Sequence, residues 1–108
     1  MPVIQVTAPR AADGAHDAAR LEQLCAQVAA ALGLPPSGVV AVLCEAVLTS
    51  TGDGIVAAWP LAVVHGSDRG SELTRGALDA AAGALAEGWG VPRGEVWVEW
   101  AGLRPTAA

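Results

Sequence analysis

The hydrophobic pattern of the first half of the chain predicts a strand, a helix and a strand. Residues 3–8 form a short β-type run, and an Ala-, Gly- and Asp-rich connection follows it. Gly33 and the pair Pro35-Pro36 predict where the helix ends. The nearly continuous apolar run 39–44 predicts a strand covered on both faces. The helix itself is indicated by apolar residues at the spacing of one helix face: Leu21, Leu24, Cys25, Val28 and Leu32.

The second half repeats this order. Thr51-Gly52-Asp53-Gly54 is a turn signal that predicts a small hairpin between the halves. Trp59-Pro60 then opens the second copy, and Ser71-Glu72 suits the start of its helix. The strands are predicted at 61–65 and 95–100. The second helical stripe consists of Leu78, Ala81, Leu85 and Trp89, and Gly90 and Pro92 end it.

The two halves align by eye, because Pro2 matches Pro60 and 32–35 matches 89–92. Each half is therefore a β-α-β unit whose two strands lie parallel, joined by a right-handed crossover. We predict an α/β (α+β) fold in one domain, 1–108, with pseudo-repeats 2–45 and 60–100. Its four-stranded sheet carries both helices on one face. The other face is apolar, and a neighbouring subunit is its natural cover.

Composition narrows the functional classes. The 108 residues are 53% hydrophobic and only 16% charged, a composition that favours self-association. The net charge of −5 argues against nucleic acid or an anionic membrane as a partner. No membrane span or secretory signal is apparent, so a cytoplasmic location is expected. All six cations are arginines, which excludes a Schiff base on lysine. Cys25 and Cys44 are interpreted as small buried hydrophobes in a reducing compartment, and neither a metal nor another cofactor is expected.

Pro2 is the leading candidate for chemistry. An initiator Met is usually removed before a small residue, and removal would leave Pro2 with a free secondary amine at the tip of a buried strand. Desolvation lowers the pKa of such an amine toward neutrality, where it serves as a general base or nucleophile. If Met1 is retained, Pro2 is an amide and the pocket serves another use. The structural alternative is a proline that merely precedes a strand.

The chain resembles the tautomerase superfamily. The resemblance rests on Pro2, the doubled β-α-β unit and the helix exit Leu-Gly-x-Pro-Pro, and it spans residues 2–100. The two-unit branches that it resembles include macrophage migration inhibitory factor, malonate semialdehyde decarboxylase and cis-3-chloroacrylic acid dehalogenase. The segment Ala-Pro-Arg-Ala at 8–11 is similar to the first of these. The segments at 64–70 and 96–100 are more similar to the dehalogenase.

The resemblance implies a homotrimer with active sites at the subunit interfaces around the amino-terminal proline. Carried over residue by residue, Pro2 takes the catalytic position and Arg69 matches an arginine that binds the substrate carboxylate. Trp97 and Glu99 fall where relatives place site-facing residues on the last strand. Strand alternation agrees, since these two share one face and Trp100 lies on the other.

Several family positions are changed in this chain. Leu34 stands where the inhibitory factor has a lysine, and Val40 where single-unit tautomerases have an arginine. Ala29 replaces a helix histidine of the dehalogenase, and a residue near Glu72 replaces its second loop arginine. The late acidic residue of the dehalogenase has no counterpart. Dehalogenation and hydration are therefore disfavoured, and a smaller, more apolar site with one arginine is expected.

Each candidate side chain also has a structural interpretation. Arg69 is either a fork donor to an oxyanion or a solvated cation beside Asp68. Glu99 is either a proton donor or half of a subunit-interface ion pair. Trp97 is expected to form a pocket wall, and Arg10 is a further candidate for reaching the site. His65 is expected to be hydrogen-bonded structure.

The sequence supports three functions of different classes. The first is a cofactor-independent tautomerase that moves a proton between the keto and enol forms of a small carbonyl acid through Pro2. The second is a secondary-metabolite cyclase or isomerase in which Glu99 and Arg69 act as side-chain acid and base groups. The third is a ligand-binding or assembly subunit without catalysis.

Overall fold

The computed structural model describes residues 1–102, so Arg104 and the predicted domain end at 108 lie outside the described residues. The first β-α-β unit and the second are separated by a small hairpin. The helices and strands, in chain order, are β1 (Val3–Ala8), α1 (Gly14–Leu32), β2 (Val40–Glu45), β3 (Thr49–Thr51), β4 (Gly54–Val56), β5 (Leu61–Gly66), α2 (Ser71–Trp89) and β6 (Trp97–Gly102).

The four long strands form one sheet in the order β2-β1-β5-β6. The pairs β1–β2 and β5–β6 are parallel, as the two β-α-β units require, while β1 and β5 are antiparallel. Both helices pack on the same face of this sheet. Between helices and sheet lies a core of fully buried apolar side chains that includes Ile4, Leu24, Val28, Val64 and Leu85. The predicted fold class is confirmed.

The predicted alignment of the halves reappears in the backbone. The Val40 N–H donates to the Pro2 carbonyl and the Trp97 N–H donates to the Pro60 carbonyl, both at 3.0 Å. Each helix ends at a left-handed glycine, with φ of 70° at Gly33 and 64° at Gly90. A left-handed conformation at this position is readily adopted by glycine, which has no Cβ. The two glycines therefore mark the same point, the end of the helix, in each half of the chain.

The sheet face opposite the helices is mostly apolar, and residues 1–102 do not cover it. We call it the open face; it presents alternate residues of each strand, among them Val42 and Trp97, which are 45% and 62% exposed. The prediction that β2 is covered on both faces is therefore wrong for a single chain, because only Ala41 and Leu43 turn toward the helices. The prediction that both cysteines are buried is wrong for Cys44, which is exposed on the open face. Cys25 is half-buried, and burial raises the pKa of its thiol.

The hairpin β3–β4 extends the apolar surface. Its turn lies at Thr51-Gly52-Asp53-Gly54 as predicted, and Gly54 has a φ of 142°. Val47, Leu48 and Ile55 are all exposed in this region. Within residues 1–102, no helix has the length and apolar character needed to cross a bilayer.

Candidate functional site

Pro2 lies at the head of β1 on the helix-facing side of the sheet. Its side chain is less than 2% exposed, whereas Met1 is 72% exposed. Its carbonyl is fixed by the Val40 N–H at the start of β2. A buried ring at the strand tip is the environment in which a freed amine would be poorly hydrated. Because the nitrogen of Pro2 forms the peptide bond to Met1, it is an amide, and it would be a secondary amine only after removal of Met1.

Arg69 belongs to the same end of the sheet as Pro2. Because β1 and β5 are antiparallel and Val3 pairs with His65, the loop that follows β5 lies beside the start of β1. We call this the Pro2 end of the sheet. Arg69 is partly buried, and its Nε is buried with no hydrogen-bond partner among residues 1–102. Such an unsatisfied donor costs about 1–3 kcal/mol, a cost that an anionic ligand would remove.

Asp68 does not neutralise Arg69. Its Oδ1 accepts the Gly70 N–H at 2.9 Å, and the described part of the chain contains no ion pair between Asp68 and Arg69. The solvated-cation interpretation of Arg69 is disfavoured by its buried Nε. A guanidinium held in this way can form a fork to a carboxylate or an enolate oxygen.

Trp97 and Glu99 lie elsewhere within the chain. Both belong to the open face, opposite Leu61 and Val63 of β5, whereas the Pro2 ring is on the helix-facing side. Trp97 is hydrogen-bonded to Pro60 and therefore lies at the opposite end of the sheet, which we call the Pro60 end. A strand of six residues spans about 20 Å. One chain thus does not bring Trp97 or Glu99 to its own Pro2.

Arg10 is also at the Pro60 end, in the loop after β1. Its Nε lies 3.7 Å from Oδ2 of Asp17, and its side chain is 57% exposed. Asp17 is buried and accepts the Ala11 N–H at 2.9 Å and an Arg20 N–H at 3.1 Å, both on Oδ1. The pKa of Asp17 is lowered, chiefly by the Ala11 N–H; burial opposes this, and Arg20 and Arg10 add to the lowering. Within one chain Arg10 thus belongs to a structural network.

The same network joins the two helices. Arg20 donates from Nε to the Gly88 carbonyl at 2.7 Å, and its guanidinium lies 4.4 Å from the centre of the Trp89 ring. Trp89 in turn donates from Nε1 to the Pro9 carbonyl at 2.8 Å. The pairing of Asp17 with Arg20 was not predicted from the sequence. Their i, i+3 spacing on one helix was the available signal.

His65 is hydrogen-bonded as expected. Its Nε2 lies 2.7 Å from Oε1 of Gln5 on the neighbouring strand β1. Both side chains belong to the open face, so the bond crosses two antiparallel strands and does not reach Pro2. His65 is therefore a hydrogen-bonded structural residue on the surface of the sheet.

A cleft that the sequence did not indicate lies between the start of α2 and β6. It has a volume of about 700 Å³, and its walls include Ser71, Thr74, Arg75, Leu78 and Trp100. Gly66 makes room for the Trp100 ring, since a Cβ on Gly66 would lie 2.9 Å from Cζ2 of the indole. We call this the Trp100 cleft. Its position next to Gly66 places it at the Pro2 end of the sheet.

The fold defines the class of architecture. It is the two-unit β-α-β fold seen in solved fused 4-OT, macrophage migration inhibitory factor-like and malonate semialdehyde decarboxylase structures, and the resemblance predicted from the sequence is confirmed as a shared fold. No protein-family model and no curated protein matches the sequence.

Three solved structures illustrate the match. A crystal structure of Pt0534 inactivated by 2-oxo-3-pentynoate has a TM-score of 0.84 at 18% identity and covers 98% of this chain and 89% of that one. A wild-type fused 4-OT described as a symmetric trimer has a TM-score of 0.81 at 23% identity, covering 96% and 87%. A macrophage migration inhibitory factor-like protein from Entamoeba histolytica has a TM-score of 0.81 at 12% identity, covering 98% and 91%. At these identities the likeness establishes the fold.

Proposed function

We propose that this protein is a cofactor-independent tautomerase that moves a proton between the keto and enol forms of a small carbonyl acid. The observation that carries the proposal is the fully buried Pro2 at the sheet end where the buried Nε of Arg69 has no hydrogen-bond partner among residues 1–102. The fold shared with tautomerase-type structures supports the same conclusion. The reaction requires the removal of Met1.

The proposed reaction is a balanced proton transfer. The neutral amine of Pro2 removes a proton from the carbon next to the carbonyl, and the electron pair of the C–H bond forms the C=C bond of an enolate. Arg69 stabilises the negative charge that develops on the enolate oxygen. The protonated Pro2 then returns its proton to that oxygen, which gives the enol, and the reverse sequence regenerates the ketone. Arg69 also suits a carboxylate, so the substrate is expected to be an acid.

We further propose that the active unit is a homotrimer in a cytosolic setting. The open face exposes Val42, Leu61 and Trp97, an apolar surface of the kind that subunit association buries. A neighbouring chain is the route by which Trp97 and Glu99, remote from Pro2 within one chain, would reach a Pro2 site. The description of a fused 4-OT as a symmetric trimer supports this arrangement.

The test begins with the intact mass of the purified protein, which reports whether Met1 is present. Mature protein is then assayed for enolisation of phenylpyruvate and for ketonisation of 2-hydroxymuconate, beside a form whose amino terminus is blocked by a short peptide extension. We expect turnover only with the free amine. Equal turnover by the blocked form would exclude Pro2 as the base.

Covalent labelling provides a second readout. The Pt0534 structure was obtained after inactivation by 2-oxo-3-pentynoate. We expect the same reagent to add once to the amino-terminal peptide of the mature protein and not to the blocked form. Labelling at an internal residue in both forms would contradict a reactive Pro2 amine.

The other two functions make different predictions in the same assays. A side-chain cyclase or isomerase would keep its activity in the blocked form and lose it in Glu99→Gln. An assembly subunit would show no turnover in either form. The buried Pro2 and the buried Nε of Arg69 at one end of the sheet favour the Pro2 mechanism over the side-chain mechanism, since Glu99 would reach this end only from a neighbouring chain.

A further inference from the structure

The open face carries a small group of polar side chains among apolar ones. Most of the residues that its four strands present are apolar, such as Val42 and Leu61, which are 45% and 39% exposed. Within residues 1–102, the titratable side chains of this face are those of Cys44, His65 and Glu99. None of the three forms an ion pair in the described part of the chain. The surface that a second copy is proposed to cover therefore contains ionisable groups.

His65 and Glu99 are neighbours on this face. Val63 of β5 pairs with Gln5 of β1 on one side and with Glu99 of β6 on the other. His65 is two residues further along β5 and is therefore diagonal to both, a spacing that long side chains bridge. The diagonal to Gln5 is in fact bridged, since Nε2 of His65 lies 2.7 Å from Oε1. Cys44 lies on β2 at the Pro60 end, with β1 between it and β5.

The hydrogen bond to Gln5 determines which nitrogen of His65 can take a proton. An amide oxygen only accepts hydrogen bonds, so Nε2 of His65 carries the hydrogen of this bond and Nδ1 is the free acceptor. Protonation at Nδ1 leaves the bond to Gln5 intact. Histidine is the side chain that exchanges a proton with water between pH 5 and 8. His65 can therefore change its charge without any rearrangement of the strands.

Covering the open face makes the charge of Glu99 unfavourable. In the free chain the carboxylate is exposed and hydrated. Between two apolar surfaces it would be unpaired, and an unpaired buried carboxylate is strongly destabilising. A proton taken from water onto His65 turns the two side chains into an ion pair without net charge. Because two such groups titrate together, the proton belongs to the pair and not to one residue.

We propose that association of copies through the open face is coupled to proton uptake by the His65–Glu99 pair, about one proton for each chain. The assembled state then binds more protons than the free chain. Association is therefore tighter as the pH falls through the range of histidine and weaker as the pH rises above it. This inference rests on the proposed function for one point only, that the open face is the interface between copies. It requires no turnover.

The test is the association constant of the purified protein, measured by sedimentation equilibrium at pH 6.5 and pH 7.5 at one ionic strength. For a trimer, uptake of one proton by each chain changes this constant by up to about 1000-fold per pH unit. We expect association to be at least about tenfold tighter at pH 6.5. Thiols ionise mainly above this range, so a cysteine contributes little to the difference. A smaller change would overturn the proposal.

Glu99→Gln tests the role of the carboxylate. It keeps the size of the side chain but removes the charge, so that burial needs no proton. Its association should be equally tight at both pH values and tighter than that of the wild type at pH 7.5. A pH dependence that persists in Glu99→Gln would overturn the proposal, since other groups would then cause it. Weaker association of Glu99→Gln at both pH values would also overturn it, because Glu99 would then pair with an arginine of the neighbouring chain.

Glu22→Gln is the matched control. Glu22 is exposed on α1, on the other side of the sheet, and its substitution makes the same change in net charge. Glu22→Gln should keep the pH dependence of the wild type. Both glutamates are exposed within one chain, so neither substitution disturbs the core. Loss of the pH dependence in Glu22→Gln would mean that overall charge, and not the His65–Glu99 pair, controls association.

The outcomes separate this inference from the proposed function. A trimer with the expected pH dependence but no turnover of any 2-oxo acid would support the inference and contradict the tautomerase. Turnover by a trimer that associates equally at both pH values would support the tautomerase and overturn the inference. A chain that is monomeric at both pH values would overturn the inference as well.

Discussion

Pro2 and Pro60 occupy equivalent positions at opposite ends of one sheet. Each is fully buried, and each carbonyl accepts a 3.0 Å hydrogen bond from the first residue of the strand parallel to its own, Val40 or Trp97. Their chemistry differs, because Pro60 is always inside the chain and its nitrogen is always an amide. In the proposed mechanism Pro2 becomes an amine once Met1 is removed, so that mechanism uses one of the two prolines.

This equivalence provides a matched pair of variants for the proposed mechanism. Pro2→Ala should lower kcat/KM for enolisation by about 100- to 10,000-fold, the range attributed to a positioned general base. Pro60→Ala removes an equally buried ring and should change kcat/KM by less than about twofold while lowering thermal stability, because its nitrogen takes no part in proton transfer. Steady-state kinetics on mature protein measures both. Comparable losses in the two variants would mean that Pro2 acts through packing and not through its amine.

The repeat could be predicted because its signals are local. Gly33 and Gly90 end the helices, and Pro2 and Pro60 begin the units, whatever the rest of the chain does. The order of the strands could not be predicted from local signals, because the antiparallel pairing of β1 with β5 joins residues far apart in the sequence. That pairing decides that Arg69 belongs to the same end of the sheet as Pro2, whereas Arg10 and Trp97 belong to the other end.

The contacts that the sequence did not predict also join residues that only the fold brings together. Asp17 lies in the first turn of an amphipathic helix, where an acidic residue is ordinarily expected to be exposed, and only the fold brings the loop N–H of Ala11 onto it. Gly66 and Trp100 are far apart in the chain and meet on neighbouring strands. Alternation did predict the face on which Trp97 and Glu99 lie. The two-unit sheet with both helices on one face also predicted that this face is left for a neighbouring subunit to cover.

The lowered pKa of Asp17 predicts a specific dependence of stability on pH. A carboxyl whose pKa is lower in the folded state stabilises the fold above its ordinary value of 3.8, and this contribution is lost as the pH falls through the folded-state value. Asp17→Asn keeps an oxygen acceptor for the Ala11 N–H but removes the charge that Arg20 faces. The variant should therefore unfold more easily at pH 7, with the difference from wild type shrinking as the pH falls below about 4.

Urea unfolding at several pH values checks this prediction. Asp53→Asn is the control, because Asp53 lies in the exposed hairpin turn and forms no ion pair among the described residues. A difference between Asp17→Asn and wild type that is the same at pH 3 and pH 7 would mean that the charge of Asp17 contributes nothing.

Replacement of glycine by alanine should have opposite effects on stability at the end of α1 and inside α2. Gly33 has a φ of 70°, and no neighbouring atom of residues 1–102 lies within 4 Å of the position that a Cβ would take, so Gly33→Ala is penalised by backbone conformation, by about 1–2 kcal/mol. Gly76 lies inside α2, where the described residues also leave its Cβ position free, and Gly76→Ala should stabilise the fold by about 0.5–1 kcal/mol. Chemical unfolding measures both free energies. Destabilisation by both substitutions would show that the glycines serve contacts rather than backbone conformation.

The open face predicts how the chain associates. Val42 is 45% exposed at the middle of β2, on the apolar surface that a second copy is proposed to cover. Val42→Glu places a charge there, and burying an unpaired carboxylate against apolar side chains is strongly unfavourable. The variant should be monomeric in sedimentation equilibrium at concentrations where the wild type is a trimer. Ala19→Glu introduces the same charge on the exposed surface of α1 and should leave the trimer intact. If Trp97 and Glu99 reach Pro2 only across this interface, Val42→Glu should lose enolisation together with assembly, whereas a trimeric Val42→Glu would place the interface on another surface.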